Sequence, residues 1–347
     1  MLFTITIENW RSIKSIKFDV SRINVFLGKN SSGKSNLIYA LYFAAKVFLG
    51  IKDVPRLLSY LYGEDIKYVF RFDGEKFSSP IIIKVNNSTI KLSLENGKIV
   101  PEVNIVSNPW FDAFLLPSKR VSFLVLSDFL NEALKSVPKE TIGYFAGIIE
   151  FLWRILKELP IIPALPLFLE DFIRASLGIS EPYIKRYESP LGILEIVRSP
   201  LFWLVEYHVK DPLIPNIALP LKMAPEGAVD QLILSTVLEN APKNSIIIIE
   251  EPENNKNPTY LISLIKEIVS KSIEKDLTIV MSTHSEIIPL SLSKNVEDGL
   301  IKPEDVRLYY LRRSEENPWT ELKRINIYED GSLDPLPDSE ETTVNLF

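Results

Sequence analysis

The chain has no cysteine, which excludes disulfides, thiol nucleophiles and zinc–thiolate centres together. Glutamine occurs once, at Gln231, and histidine twice, at His208 and His284, while Ile, Lys and Glu are abundant. That bias is of the thermophile kind and carries no functional information. No signal peptide is expected from the opening residues: Met1-Leu2-Phe3-Thr4-Ile5 has neither a basic start nor a small-residue cleavage site. Long uncharged runs are absent too. The most apolar stretch, from about 143 to 172, carries Glu150, Arg154, Lys157, Glu158, Glu170 and Asp171, so nothing approaches the roughly 18 residues that a membrane span needs. No charge of one sign dominates: the net charge is −6, which does not point to a nucleic-acid-binding surface. A cytoplasmic protein with no membrane partner is expected.

What is present suffices for a sizeable core, since 46% of the 347 residues are hydrophobic. Alternating runs at 3–7 and 13–18, then the apolar run Ile23-Asn24-Val25-Phe26-Leu27, predict strands. Leu37, Ile38, Leu41, Ala44, Ala45 and Phe48 share one face of a predicted helix. From 66 to 116 the pattern is β, punctuated by Asp73-Gly74 and Asn96-Gly97, and predicts an antiparallel side sheet. The tract 121–189 reads as helices interrupted by Pro138, Pro160, Pro163, Pro166 and Pro182. Strand-like segments follow at 193–197, 202–209 and 217–221, where His208 reads as structural. Helices at 228–238 and 260–270 then alternate with strands at 245–249 and 277–282. Residues 1–120 and 213–347 are therefore expected to form one α/β nucleotide-binding domain, split by a mainly helical insertion at 121–212.

Three motifs carry chemistry. The first is Gly28-x-x-x-x-Gly33-Lys34-Ser35, set between an apolar strand and a helix. Glycines let the backbone wrap, so that successive N–H groups and the helix N-terminus face phosphate oxygens. Gly28, Asn30, Ser31, Ser32, Gly33, Lys34 and Ser35, with Asn36 in the first helical turn, are the expected nucleotide contacts. Lys34 is expected on the β- and γ-phosphates of ATP and the Ser35 hydroxyl on Mg²⁺.

The second motif is Ile246-Ile247-Ile248-Ile249-Glu250-Glu251-Pro252-Glu253. Four β-branched residues read as a strand buried on both faces, ending in carboxylates where α/β sheets bind ligands. Alternation along the strand separates the roles: Glu250 in the Mg²⁺ shell beside Ser35, Glu251 as general base on the attacking water. The third motif, Thr278 to Ser285, ends its strand in Ser282-Thr283-His284-Ser285, where His284 is placed to hydrogen-bond a γ-phosphate. Lys34, Glu251 and His284 are thus the candidate catalytic residues, on the premise that the strands ending near residues 28 and 250 are neighbours.

Together these residues resemble the ABC-type ATPase heads of the SMC/RecF class, with the stand-alone branch related to the overcoming-lysogenization-defect (OLD) ATPases as the nearest match. Ile7-Glu8-Asn9-Trp10-Arg11-Ser12-Ile13 is similar to that class's opening, and 24–42 to its phosphate-loop segment. Glu250 to Glu253 with Pro258, the switch at 282–285 and Phe114 to Arg120 complete the likeness. The resemblance implies an ABC-type P-loop fold with a side sheet, ATP and Mg²⁺ as ligands, a homodimer closed through the nucleotide face, and a protein effector acting in trans. It also places Arg11 near the base or α-phosphate. The stretch after His284 has no clustered Asp-x-Asp site, so the likeness does not extend to the nuclease domain that some OLD-type ATPases carry.

Two departures stand out. Where such heads have a serine-rich signature loop, this chain has Met223-Ala224-Pro225-Glu226-Gly227-Ala228: Gly227 is kept for backbone donation, but Pro225 and Glu226 replace the hydroxyls. The loop after the glutamates reads Asn255-Lys256-Asn257-Pro258, without histidine. The insertion, with an apolar core expected at 144–156, carries eight Lys and Arg against eleven Asp and Glu between 121 and 209, a balance unlike a DNA-binding lever. The leading expectation is ATP hydrolysis at the β–γ bond. The alternatives are a nucleotide-gated protein-interaction module with negligible turnover and, less well matched, a transporter's nucleotide-binding subunit.

Overall fold

The computed structural model describes residues 2–63, 65–123, 163–177, 184–189, 192–198, 203–210, 218–220 and 223–337. The helix core expected at 144–156, the breaks expected at Pro138, Pro160 and Pro182, and the acidic end from 338 lie outside the described residues. The chain divides into two compact units, 1–115 with 242–347, and 116–241. The helix after Gly227, read from sequence with the C-terminal half, groups with 116–241.

In the first unit a six-stranded sheet has the order β17-β16-β3-β15-β14-β9. Its strands are β3 (Ile23–Leu27), β9 (Ala113–Leu116), β14 (Ile246–Glu250), β15 (Thr278–Thr283), β16 (Val306–Arg312) and β17 (Glu321–Ile325). β16, β3, β15 and β14 run parallel, and β17 turns back antiparallel on β16. Burial on both faces explains the isoleucine run of β14: Ile246 to Ile249 are fully buried, each worth roughly 1.5–3 kcal/mol relative to exposure. Asn24, polar in the middle of β3, is buried because its amide is satisfied on both sides: Oδ1 accepts from Ser21 N at 2.8 Å, and Nδ2 donates to Ser21 O at 2.8 Å and Ile279 O at 3.0 Å. α1 (Lys34–Phe48) packs on β14 and β15; α5 (Pro258–Glu274) packs on β15 and on α6 (Ile287–Glu297).

The side sheet is antiparallel as expected, but its membership differs. Its order is β2-β1-β6-β7-β8, so the opening strands β1 (Phe3–Trp10) and β2 (Ile13–Val20) belong to it with β6 (Ile81–Val85), β7 (Ser88–Glu95) and β8 (Lys98–Asn104). The run at 113–116 joins the central sheet instead, beside β14. Between α2 (Val54–Tyr62) and β6, the residues Ile66–Val69 form a single 3₁₀ turn rather than a strand, and β4 (Arg71–Phe72) pairs with β5 (Phe77–Ser78) as a separate short ribbon.

The second unit takes in the expected insertion, much of which lies outside the described residues. Its described residues hold a four-stranded antiparallel sheet in sequence order, β10 (Ile184–Ser189), β11 (Gly192–Arg198), β12 (Trp203–Lys210) and β13 (Ala218–Pro220). The strand at 184–189 replaces the end of the tract read as helix: Ser189 pairs with Gly192 at the hairpin end, and Pro190 between them signals a turn. Helix α3 (Leu165–Leu177) accommodates Pro166 because the proline sits in its first turn. It packs on α4 (Glu226–Asn240). Arg120 and Asp230 of α4 form a fully buried ion pair, Arg120 Nη2 donating to Asp230 Oδ2 at 2.9 Å. Among the described residues, no helix is long and apolar enough to cross a membrane.

Candidate nucleotide-binding site

β3 runs directly into the phosphate loop. The backbone turns through positive φ at Gly28 (146°), Ser31 (64°) and Gly33 (103°), then enters α1 at Lys34. Left-handed backbone favours glycine, and space demands it as well. A Cβ on Gly28 would lie 2.2 Å from Leu311 O, and one on Gly33 would lie 2.2 Å from Thr320 Oγ1. The leading N–H groups of α1 have no intrahelical acceptor, so the loop ends in a ready anion site.

Lys34 is buried, and its Nζ donates to Gly28 O at 2.6 Å and Lys29 O at 2.9 Å. The same Nζ lies 3.3 Å from His284 Nδ1. Ser32 Oγ is buried in the loop without a hydrogen-bond partner, as a hydroxyl would be if built for an anion. Beside the loop is a hollow of about 440 Å³ lined by Lys29, Asn30, Ser31 and Arg313, among others.

Register explains how the motifs converge. Glu250 of β14 stands opposite Ser282 of β15, and Thr283 of β15 stands opposite Leu27 of β3. Three parallel strands therefore end in step. The strands carrying the loop and the glutamates are not neighbours, as sequence suggested; β15 lies between them. That interposed strand is what carries His284 between Lys34 and Glu251. His284 Nε2 lies 3.4 Å from Glu251 Oε1.

The carboxylates are held differently. Glu250 is buried; its Oε1 accepts a short hydrogen bond from Ser35 Oγ, and its Oε2 accepts from Tyr39 OH at 3.0 Å. Burial, reinforced by the charge of Glu250, holds the Tyr39 phenol well above the usual tyrosine range, so it stays a neutral donor. Glu251 sits one residue beyond the strand with φ 48°, a conformation costing about 1–2 kcal/mol for a side-chain-bearing residue. Its N–H still donates to Ser282 O at 2.9 Å, and Asn254 Nδ2 donates to its Oε2 at 3.0 Å. Glu253 fixes the switch loop, its Oε1 accepting from Thr283 Oγ1 at 2.7 Å and from His284 N at 2.8 Å.

The remaining sequence candidates are held by other contacts or lie in the other unit. Asn36 Nδ2 donates to Ser12 Oγ at 2.9 Å. Arg11, with φ 48°, lays its guanidinium over the Tyr62 ring at 4.7 Å. Gly227 belongs to the second unit, in the first turn of α4. Sequence reasoning missed Tyr39, Glu253, Thr320 and Arg313. Arg313 Nη1 donates to Ser31 O at 3.1 Å and Thr320 Oγ1 to Ser32 O at 3.0 Å, and nothing in the local pattern of 313–320 marks those residues.

Among the described residues, no group of three or more His, Cys, Asp and Glu could hold a metal ion. A divalent cation at Ser35 and Glu250 would thus be held by one hydroxyl, one carboxylate and the ligand's own oxygens. That donor set suits Mg²⁺, which keeps several waters and takes few protein ligands.

The sequence matches the AAA ATPase domain family over residues 1–159. It is 43% identical over 42 residues to the DNA replication and repair protein RecF of Lactobacillus acidophilus, covering 12% of this chain and 11% of that protein. It is 28% identical over 144 residues to MJECL10 of Methanocaldococcus jannaschii, covering 37% of this chain and 66% of that protein. The matches thus span less than two thirds of either relative. The family match takes in the phosphate loop at 28–35 and ends before Glu250 and His284. Similar solved structures include the SMC head domain from Thermotoga maritima (11% identity, 94% of this chain and 99% of that chain, TM-score 0.43). Another is an SmcHead bound to the C-winged helix domain of ScpA (12%, 94% and 98%, TM-score 0.49).

In this chain the loop after the glutamates is built on asparagine rather than histidine. Asn254 supports Glu251, Asn255 takes the left-handed turn at φ 58°, and Asn257 caps α5 by accepting from Tyr260 N at 3.0 Å. Asn255 and Asn257 each do a backbone task to which that side chain is suited, which accounts for the departure at this loop.

Proposed function

We propose that this head binds ATP with Mg²⁺ and hydrolyses the β–γ bond, and that it is of the stand-alone OLD-like kind. The observation that carries the reading is the meeting of Lys34, Ser35, Glu250, Glu251 and His284 at the ends of three parallel strands. Ser35 and Glu250 would hold the metal, which when bound neutralises charge on the β- and γ-phosphate oxygens. Lys34 exchanges the carbonyls of Gly28 and Lys29 for phosphate oxygens. Glu251 accepts the proton of the attacking water as the water oxygen bonds to the γ-phosphorus; the bond to the β-bridging oxygen breaks, leaving ADP and phosphate. His284 donates to the γ-phosphate, and Arg11 lies on the base side. In a homodimer closed through the nucleotide face, backbone donors at Gly227 would serve the other copy's phosphates, so that ATP controls engagement with a protein effector in trans.

Isothermal titration with ATP and Mg²⁺, followed by phosphate release, tests the reading. Lys34→Ala should abolish binding. Glu251→Gln should bind normally yet lose about 100-fold or more of its turnover, the scale of a missing general base. Normal turnover in Glu251→Gln would remove that residue from its role, and absence of saturable ATP binding in the native protein would end the reading.

A second reading, a nucleotide-gated interaction module with negligible turnover, is favoured by one feature. Pro225 caps α4 without a side-chain hydrogen bond, and Glu226 puts a negative charge in the first turn, where a phosphate would be repelled. Phosphate release at increasing protein concentration separates the two, since a hydrolytic dimer gains specific activity as it assembles.

A further inference from the structure

Helix α1 points two hydroxyls at one carboxylate. Ser35 and Tyr39 are four residues apart and so lie on the same helical face. Ser35 Oγ donates to Glu250 Oε1, and Tyr39 OH donates to Glu250 Oε2 at 3.0 Å. A glutamate has one more torsion than an aspartate, and its last torsion is broad. A single donor leaves the carboxylate plane free to turn about that contact. A second donor on the other oxygen fixes it.

The phenol is itself held. The Tyr39 and Tyr62 rings lie 5.9 Å apart at 58°. Tyr62 OH accepts from Trp10 Nε1 at 3.1 Å, and the Arg11 guanidinium covers the Tyr62 ring at 4.7 Å. A continuous track of packed side chains thus runs from Arg11 through Tyr62 and Tyr39 to Glu250.

We propose that Tyr39 is a positioning residue for Glu250, fixing the carboxylate so that Glu250 and Ser35 present one preset site to a divalent cation. The proposal rests on the reading that Ser35 and Glu250 hold Mg²⁺. Its bland alternative is that the phenol merely satisfies a buried carboxylate, in which case its loss would lower stability and leave metal dependence alone.

Tyr39→Phe keeps the ring and removes the hydroxyl. Three measurements separate the possibilities: ATP affinity in EDTA, the Mg²⁺ concentration for half-saturation with ATP present, and Mn²⁺ binding to the protein–ATP complex by electron paramagnetic resonance. The expected result is unchanged ATP affinity in EDTA and a rise of about tenfold in the metal needed, the usual scale for an outer partner of a metal ligand. Mn²⁺ affinity should weaken in parallel. Tyr62→Leu, which leaves the phenol but removes the ring behind it, should shift metal dependence the same way by a smaller factor, and carries the test if Tyr39→Phe does not fold. Wild-type metal dependence in a folded Tyr39→Phe protein overturns the proposal, whatever its melting temperature. Metal-independent ATP binding by the native protein would instead overturn the Mg²⁺ reading, and the proposal with it.

Discussion

Ser12 and Thr320, 308 residues apart in the chain, meet hydroxyl to hydroxyl at 2.8 Å. Thr320 Oγ1 donates to Ser32 O at 3.0 Å, so the bond between the two hydroxyls is donated by Ser12. Thr320 N closes the arrangement by donating to Ser12 O at 2.8 Å. The support under the phosphate loop is therefore supplied from the turn between β1 and β2 and from the loop joining β16 to β17.

Thr320→Val tests that support with little change of shape. It removes the donor to Ser32 O and leaves the Ser12 hydroxyl without its acceptor, at a cost of about 1–3 kcal/mol. Urea denaturation should report that loss. ATP affinity should fall severalfold, and Thr320→Ser should restore most of both.

The loop glycines should separate steric from conformational demand. Gly33→Ala places a Cβ 2.2 Å from Thr320 Oγ1 at φ 103°, whereas Gly97→Ala meets nothing within 4 Å at φ 77°. Both incur the left-handed penalty of about 1–2 kcal/mol, but only Gly33→Ala must also displace a neighbour. We expect ATP binding to be lost in Gly33→Ala and unchanged in Gly97→Ala, with calorimetric titration as the readout.

Much of this site was legible in sequence because its parts are local. A buried strand, a glycine turn and a helix occupy consecutive residues, and the Ile246 to Glu253 run carries its own burial and polarity. What was not legible depends on long-range placement. Whether 28 and 250 lie on adjacent strands is decided by where β15 inserts, and no periodicity encodes that. The strand at 113–116 joined the central sheet rather than the side sheet for the same reason: a four-residue apolar run does not name its partner. Tyr39 looked like one more helix residue because its donor role needs the position of Glu250, 211 residues away. The strand at 184–189 was misread as helix because the Pro-rich tract before it set the pattern.

Glu253 offers a test of the switch loop. Its Oε1 accepts from both Thr283 Oγ1 and His284 N, so Glu253→Ala should release the backbone that carries His284. ATP affinity, set chiefly by the phosphate loop, should stay within about threefold, while turnover should fall roughly 10- to 100-fold, the scale of a misplaced catalytic group. Single-turnover phosphate release against equilibrium binding reads the two effects apart.

The Arg120–Asp230 pair makes the last case, because burial reverses the usual worth of an ion pair. Both side chains are within 1% of full burial, and Arg120 Nη1 also donates to Pro117 O at 3.0 Å. Taking two charges out of water is costly, and their mutual attraction repays it only while both are present. Arg120→Met should therefore destabilise the protein by about 3–5 kcal/mol, because it leaves the Asp230 charge buried without this partner. Arg120→Met with Asp230→Leu should recover most of that loss, since neither charge is then left buried without the other. Raising salt should change neither difference, as buried charges are poorly screened. Urea denaturation of the two variants at low and high ionic strength checks all three points, and a double variant as unstable as the single one would show that the pair shapes the fold around α4 beyond balancing its own charges.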